Sequence, residues 1–255
     1  MNKKEIKDLL DQKYYEFNRS QFIDTDPISI PHRFNKKEDI EISAFLIATF
    51  AWGKREMIIR SANDLMKRFG ESPYDFIMEY NSKNEKFLNG FYYRTFQDAD
   101  LKYFVQSLNN IYSKHNGLES LFKVKEKENG VWLALSRARA VFFELNHIPR
   151  VEKHFSNPDK NASCKRLNMF LRWMCRKDKQ GVDFGLWDSV PMSKLSCPLD
   201  VHTGNVSRSL GLLKRKQDDK KAVIELDESL RDLDPIDPVK YDFALFGLGV
   251  FDSFK

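Results

Sequence analysis

Cysteine is scarce in this chain. Its three residues, Cys164, Cys175 and Cys197, include no pair at CxxC spacing, which argues against a disulfide framework or a thiolate zinc site and suits a reducing compartment. Glycine and proline are also sparse, at 11 and 9 of 255 residues, too few for a collagen-like or low-complexity chain. No apolar run approaches the roughly 20 residues of a membrane span. The opening stretch, MNKKEIKDLLDQKYYEF, is charged throughout and lacks the apolar centre of a signal peptide. The five histidines (His32, His115, His147, His154, His202) form no i,i+4 pair, and no cysteine stands near one at ligand spacing. Nucleophile elbow and Walker loop are both missing. The expectation is a globular, cytoplasmic protein that needs no metal, cofactor or membrane.

What is present is helical periodicity. With 42% hydrophobic and 31% charged residues, the chain can bury a core without staples. Ile6, Leu9, Leu10, Tyr14 and Phe17 recur at helical spacing, as do Leu101, Phe104, Val105, Leu108 and Ile111, and Val131, Leu135, Ala138 and Phe142. Further helices are predicted over 37–51, 55–69, 73–80, 163–177, 201–214, 219–232 and 238–250. No polar/apolar alternation is bounded by turn signals, so a sheet is not expected. Asp26-Pro27, Trp52-Gly53, Gly70, Ser72-Pro73, Gly117, Gly130, Asn157-Pro158 and Asp237-Pro238 punctuate the pattern, the last reading as an N-cap followed by proline at the first helical position. Residues 181–200, GVDFGLWDSVPMSKLSCPLD, break it. A long irregular segment in a helical domain is either functional or a cover whose Phe184, Leu186 and Trp187 pack on the core.

The net charge is +5, and it is unevenly spread. Between Arg150 and Gln180 nine cations face three anions, a larger surplus than that of the whole chain. This stretch contains a predicted helix with Ser163 as N-cap, which puts Lys165 and Arg166 in the first turn. Cations there oppose the helix dipole and each other, which favours the free amine at Lys165. A free lysine amine is a nucleophile able to form a Schiff base; otherwise Lys165 is a surface lysine. On the same helix Leu167, Phe170, Leu171 and Met174 make the buried stripe. Lys165, Met169, Arg172 and Arg176 share another face, because steps of seven and eleven residues return within roughly 20°. With Trp173 beside it, that cationic stripe suits a phosphate backbone or is a solvated helix face.

Two carboxylates complete the set. Asp200, in Pro198-Leu199-Asp200-Val201-His202, opens a helix after the irregular segment. It is a capping residue, and it can also stabilise a developing cation at an active site. Asp242 interrupts the apolar run Tyr241-Asp242-Phe243-Ala244-Leu245-Phe246 and must find a donor or face a cavity. Phe246 lies one turn later on its face, so the two offer an acceptor and a stacking ring. Gly247 and Gly249 are too weak a signal for a phosphate loop.

These motifs, Cys164-Lys165-Arg166-Leu167-Asn168-Met169-Phe170-Leu171-Arg172, Pro198-Leu199-Asp200-Val201-His202 and Asp237-Pro238-Val239-Lys240-Tyr241-Asp242-Phe243, resemble the helix-hairpin-helix DNA glycosylase superfamily, in particular the archaeal 8-oxoguanine DNA glycosylases. The whole chain is also similar to an uncharacterised bacterial family related to them. The resemblance implies a lysine nucleophile at Lys165 and an assisting aspartate at Asp200. It also implies a base pocket with Asp242, Phe246 (where the family has Trp), Trp52 and Met169. Arg172 stands where those enzymes have a lysine at the substrate site. Residues 42–65 resemble the superfamily's early helix-turn-helix. Ser156-Asn157-Pro158-Asp159-Lys160-Asn161-Ala162 replaces the usual hairpin with Gly-hydrophobic-Gly. The expected architecture is all-α, a single helical domain over 1–255 in two packed lobes, both chain ends in one lobe, with a central cleft. The expected function is a monomeric DNA-repair glycosylase with lyase activity on a flipped damaged base, an oxidised purine, with Lys160, Arg166, Arg172 and Arg176 on backbone phosphates. The alternative is a nucleic-acid-binding protein on a glycosylase-like fold, without catalysis.

Overall fold

A computed structural model describes residues 1–252. The chain is 63% helical and its only sheet among these residues has two strands, so the fold is all-α. In order come α1 (Lys3–Phe17), α2 (Ser20–Thr25), α3 (Lys37–Phe50), α4 (Arg55–Phe69), α5 (Pro73–Met78), the hairpin β1 (Tyr92–Tyr93) and β2 (Phe96–Gln97), α6 (Asp98–Lys114), α7 (Gly117–Phe122), α8 (Trp132–Phe142), α9 (Lys165–Cys175), α10 (Val201–Ser209), α11 (Lys220–Leu233) and α12 (Tyr241–Val250). No helix among the described residues is long and apolar enough to cross a membrane. The sheet that periodicity did not anticipate is too short to carry a period. Tyr92 pairs with Gln97 and Tyr93 with Phe96.

The local rules explain the boundaries. Asn2 and Glu5 form a capping box on α1. Asp219 caps α11 through Ala222 N–H. Helix α10 stops at Ser209 rather than at residue 214, because Gly211 adopts φ +74° just beyond it. Residues 181–200 are irregular apart from one turn at Met192–Lys194, and Trp187 from this segment is buried against Phe122 and Phe170. Two predicted caps are replaced. Cys164, with φ +52°, is the N-cap of α9 in place of Ser163, and it makes no side-chain capping bond. The Asp237 carboxylate does not cap its turn because it accepts from the Arg176 guanidinium instead.

The core is aromatic. Phe45 on α3 meets Phe104, Phe122, Phe142, Phe155 and Phe170, which ties α3 to α6, α7, α8 and α9. Helices α1 and α12, from the two ends of the sequence, lie together, and α10 packs on the other side of α12. The two glycines of α12 account for that spacing. A Cβ on Gly247 would stand 2.1 Å from the Phe17 ring, and one on Gly249 would stand 3.0 Å from His202 Cβ. Gly247→Ala is therefore expected to destabilise the fold by about 1–3 kcal/mol in denaturant titrations, through overpacking. Pairing it with Phe17→Leu should recover much of that loss, and a simple sum of the two single costs would refute the contact.

Candidate active site

A cavity of about 750 Å³ opens where α4, α9, α10 and α12 meet the segment after α2. Its wall includes Trp52, Lys165, Arg166, Met169, Arg172, Asp200, Asp242 and Phe246. Three separately chosen motifs therefore meet at one hollow, whose size is that of a small-ligand pocket. The helix-turn-helix of α3 and α4 supplies Ala51, Trp52, Gly53, Arg55 and Ile58 to the same wall.

Lys165 is the first residue of α9 and is half-buried. Its Nζ lies 3.6 Å from Met169 Sδ and is in no ion pair among the described residues, although carboxylates surround the cavity. Asp200 caps α10. Its Oδ1 accepts from His202 N–H at 2.9 Å and Thr203 N–H at 3.0 Å, and Oδ2 takes no hydrogen bond among the described residues. The turn that presents Asp200 is itself anchored: Cys197 N–H donates to Asp227 Oδ1 at 2.8 Å. Burial pushes the Asp227 carboxyl up to about 7.

Asp242 is a buried part of the cavity wall. Burial raises its carboxyl to about 6, against the pull of the adjoining Arg172 guanidinium. Arg172 donates through Nη1 to Asp242 and through Nε to Asp183 at 3.2 Å, and it lies 4.2 Å over the Phe243 ring. Arg176, wholly buried, donates to Asp183 at 3.1 Å, Asp178 at 2.6 Å, Asp237 at 3.0 Å and the Tyr14 hydroxyl at 2.7 Å. The neighbouring carboxylates hold both guanidiniums above the usual arginine range.

This corrects the expected phosphate stripe. Arg172 and Arg176 do share a face of α9, but it turns inward onto carboxylates, so neither is a surface cation for DNA. Trp173 is fully buried beside them. Arg166 is half-buried and donates to Thr49 O at the end of α3, where helix carbonyls lack partners. Of the four expected phosphate ligands, only Lys160 is exposed, on the turn Pro158–Lys160.

The aromatic rings of the pocket carry guanidiniums. Arg55 Cζ stands 4.9 Å over Phe246 and Arg94 Cζ 4.3 Å over Trp52. Sequence reasoning missed Arg55 and Asp26, which face each other at 3.7 Å in the wall. Burial raises the Asp26 carboxyl. Asp26-Pro27 was readable only as a turn. Arg55 opens α4 with a cation, the same departure from helix rules that singled out Lys165. Trp52 Nε1, Trp173 Nε1 and Arg55 Nη2 are buried without hydrogen-bond partners, so the lining residues hold donors as well as acceptors. No three His, Cys, Asp or Glu side chains form a metal-holding group among the described residues.

A family model described as "Protein of unknown function (DUF2400)" matches residues 26–251, so the chain belongs to that family. No curated protein and no solved structure matches it.

Arg172→Ala is expected to cost about 3–5 kcal/mol of stability in chemical denaturation, because it strands two buried carboxylates. A cost below about 1 kcal/mol would contradict the network. Asp227 adds a pH signature. Its folded value of about 7 exceeds the ordinary 3.8, so its contribution to stability falls as pH rises through that interval. Asp227→Asn should flatten the thermal midpoint between pH 5 and 8 relative to the parent. Parallel curves would show that Asp227 does not titrate there.

Proposed function

We propose that this DUF2400 protein is a DNA glycosylase with abasic-site lyase activity, acting on a flipped damaged nucleotide through a Schiff base on Lys165. The observation that carries this reading is the convergence of Lys165, Asp200 and Asp242 on one cavity large enough for a nucleoside, with the Lys165 amine in no ion pair among the described residues. A structural lysine in a carboxylate-rich hollow would be expected to pair with one of them.

In the proposed reaction a nucleotide leaves the helix stack and its base enters the cavity. The Lys165 amine attacks the anomeric carbon. The bond from nitrogen to that carbon forms, the glycosidic bond breaks, and its electron pair leaves with the base, which takes up a proton. Asp200, with Oδ2 free of capping bonds, stabilises the developing oxocarbenium charge and accepts the proton lost by the lysine nitrogen. Opening of the sugar ring gives the Schiff base. Loss of a proton from the adjoining sugar carbon then expels the 3′ phosphate and cuts the strand. Asp242, braced by Arg172, offers Oδ1 to a donor edge of the base. Met169 and Phe246 supply apolar wall, and Phe246 becomes available for stacking once Arg55 moves off its face. No cofactor takes part. The three cysteines are free and buried, which accords with a reducing cytoplasm.

Borohydride added to the protein with an abasic duplex, or with one carrying 8-oxoguanine, is expected to trap a covalent adduct. Lys165→Gln should abolish it, and Asp200→Asn should slow base release by about 100-fold or more. No adduct with either substrate, or one that survives in Lys165→Gln, removes the lysine chemistry. Retained nucleic-acid binding without an adduct would favour the non-catalytic alternative.

A further inference from the structure

The β1–β2 hairpin sits on the cavity's rim. Trp52 and Gly53 belong to the cavity wall, and the hairpin is clamped to both. The Tyr93 hydroxyl donates to Trp52 O at 2.6 Å, and the Arg94 guanidinium covers the Trp52 ring. Gly53, at φ +112°, makes this approach possible: a Cβ there would stand 2.5 Å from Arg94 Nη1 and 3.0 Å from the Tyr93 hydroxyl. Arg150 braces the far side, donating to Gln97 Oε1 at 2.6 Å and Thr95 O at 3.0 Å. Tyr93 and Phe96 are buried, which fixes the hairpin to the core.

Its outer side is arranged in the opposite way. Tyr92 is 75% exposed. Arg94 is exposed and in no ion pair among the described residues, and so is Lys54, next to Gly53. Arg94 also holds φ +55° in the two-residue turn, a conformation for which hairpins use glycine or asparagine. An arginine kept at a strained position, beside an aromatic ring left in solvent, points to a contact surface. An exposed ring on the hairpin, with an arginine at its turn and a lysine next to Gly53 that are both exposed and in no ion pair among the described residues, matches the chemistry that binds a nucleic-acid strand.

We propose that this hairpin grips the strand next to the nucleotide held in the cavity. Arg94 and Lys54 take a backbone phosphate, and the Tyr92 ring stacks on a neighbouring unpaired base. The assignment rests on the reading of the cavity as a nucleotide pocket. It puts the strand contacts on the hairpin rather than on the arginines of α9.

The test uses the full-length protein, anisotropy with DNA containing a tetrahydrofuran abasic analogue, and borohydride trapping on the natural abasic site. Tyr92→Ala is expected to raise Kd about 10-fold or more, while Tyr92→Phe stays near the parent. Arg94→Gly should weaken binding and reduce the salt slope by about one. It should do so with little change in the thermal midpoint, since glycine takes φ +55° without strain and this offsets the lost contact with Trp52. Parent-like Kd and salt slope in Tyr92→Ala and Arg94→Gly, with the parent protein still trapped, would overturn the hairpin's role alone. A parent that neither binds nor is trapped would overturn the nucleotide pocket and, with it, this proposal.

Discussion

Two buried guanidiniums organise the region around the cavity. Arg172 and Arg176 share Asp183 between them, and each reaches outward to further carboxylates: Asp242 for one, Asp178 and Asp237 for the other. Burying such groups is costly unless nearly every donor finds an acceptor. The chain meets that condition by bringing α9, the irregular segment, the turn before α12 and the hydroxyl of Tyr14 on α1 to the same place. Asp242 sits in the cavity wall as a by-product of this arrangement. Its carboxyl is held on one side by Arg172, with Cys197 Sγ 3.8 Å from its other oxygen. The position of this carboxylate in the wall is thus set by an ion network that runs from Arg172 away from the pocket.

The helical framework was legible because its cause is local. Apolar spacing, Ser72-Pro73 and Gly70 at the end of α4 act within a few residues, and α3 and α4 follow the predicted ranges almost to the residue. The motifs around Lys165, Asp200 and Asp242 were legible for another reason. Lys165 and Asp242 each break a local rule, Asp200 opens a helix after an irregular segment, and all three line one hollow. What periodicity could not reveal was the direction in which a face points. The spacing of Lys165, Arg172 and Arg176 puts them on one stripe whether it meets solvent or protein. Their partners lie far away in sequence, at Asp178, Asp183, Asp237 and Asp242, and a carboxylate in a loop carries no mark of the arginine it will neutralise. Strands of two residues were likewise beyond any alternation test. The hairpin is placed in the fold by a contact between Trp52 and Tyr93, 41 residues apart in the chain.

The irregular stretch before Asp200 covers the core, as one of its two expected roles required, and also supplies ion-pair partners. Trp187 is a cover for the core and donates to Glu41 on α3 at 2.6 Å. Asp183, a few residues earlier, is the shared acceptor of the buried arginines. Its end, tied down through Cys197 to α11, delivers Asp200 to the start of α10. An irregular backbone suits this use, since a regular helix could not satisfy partners in three directions within twenty residues.

Helix α1 lies before the region matched by the family model, yet it closes the buried ion cluster and fills the notch over α12. Tyr14 and Asn18 both donate to Asp178, and Phe17 occupies the space left by the missing side chain at Gly247. Water entering along α12 in its absence would reach Arg176 first and the carboxylates behind it next. The dielectric around Asp242 would then rise from the rear, and the cavity would change its electrostatics without losing one of its own walls. The folding unit therefore extends upstream of the family's own signature and includes α1, which shields this interior.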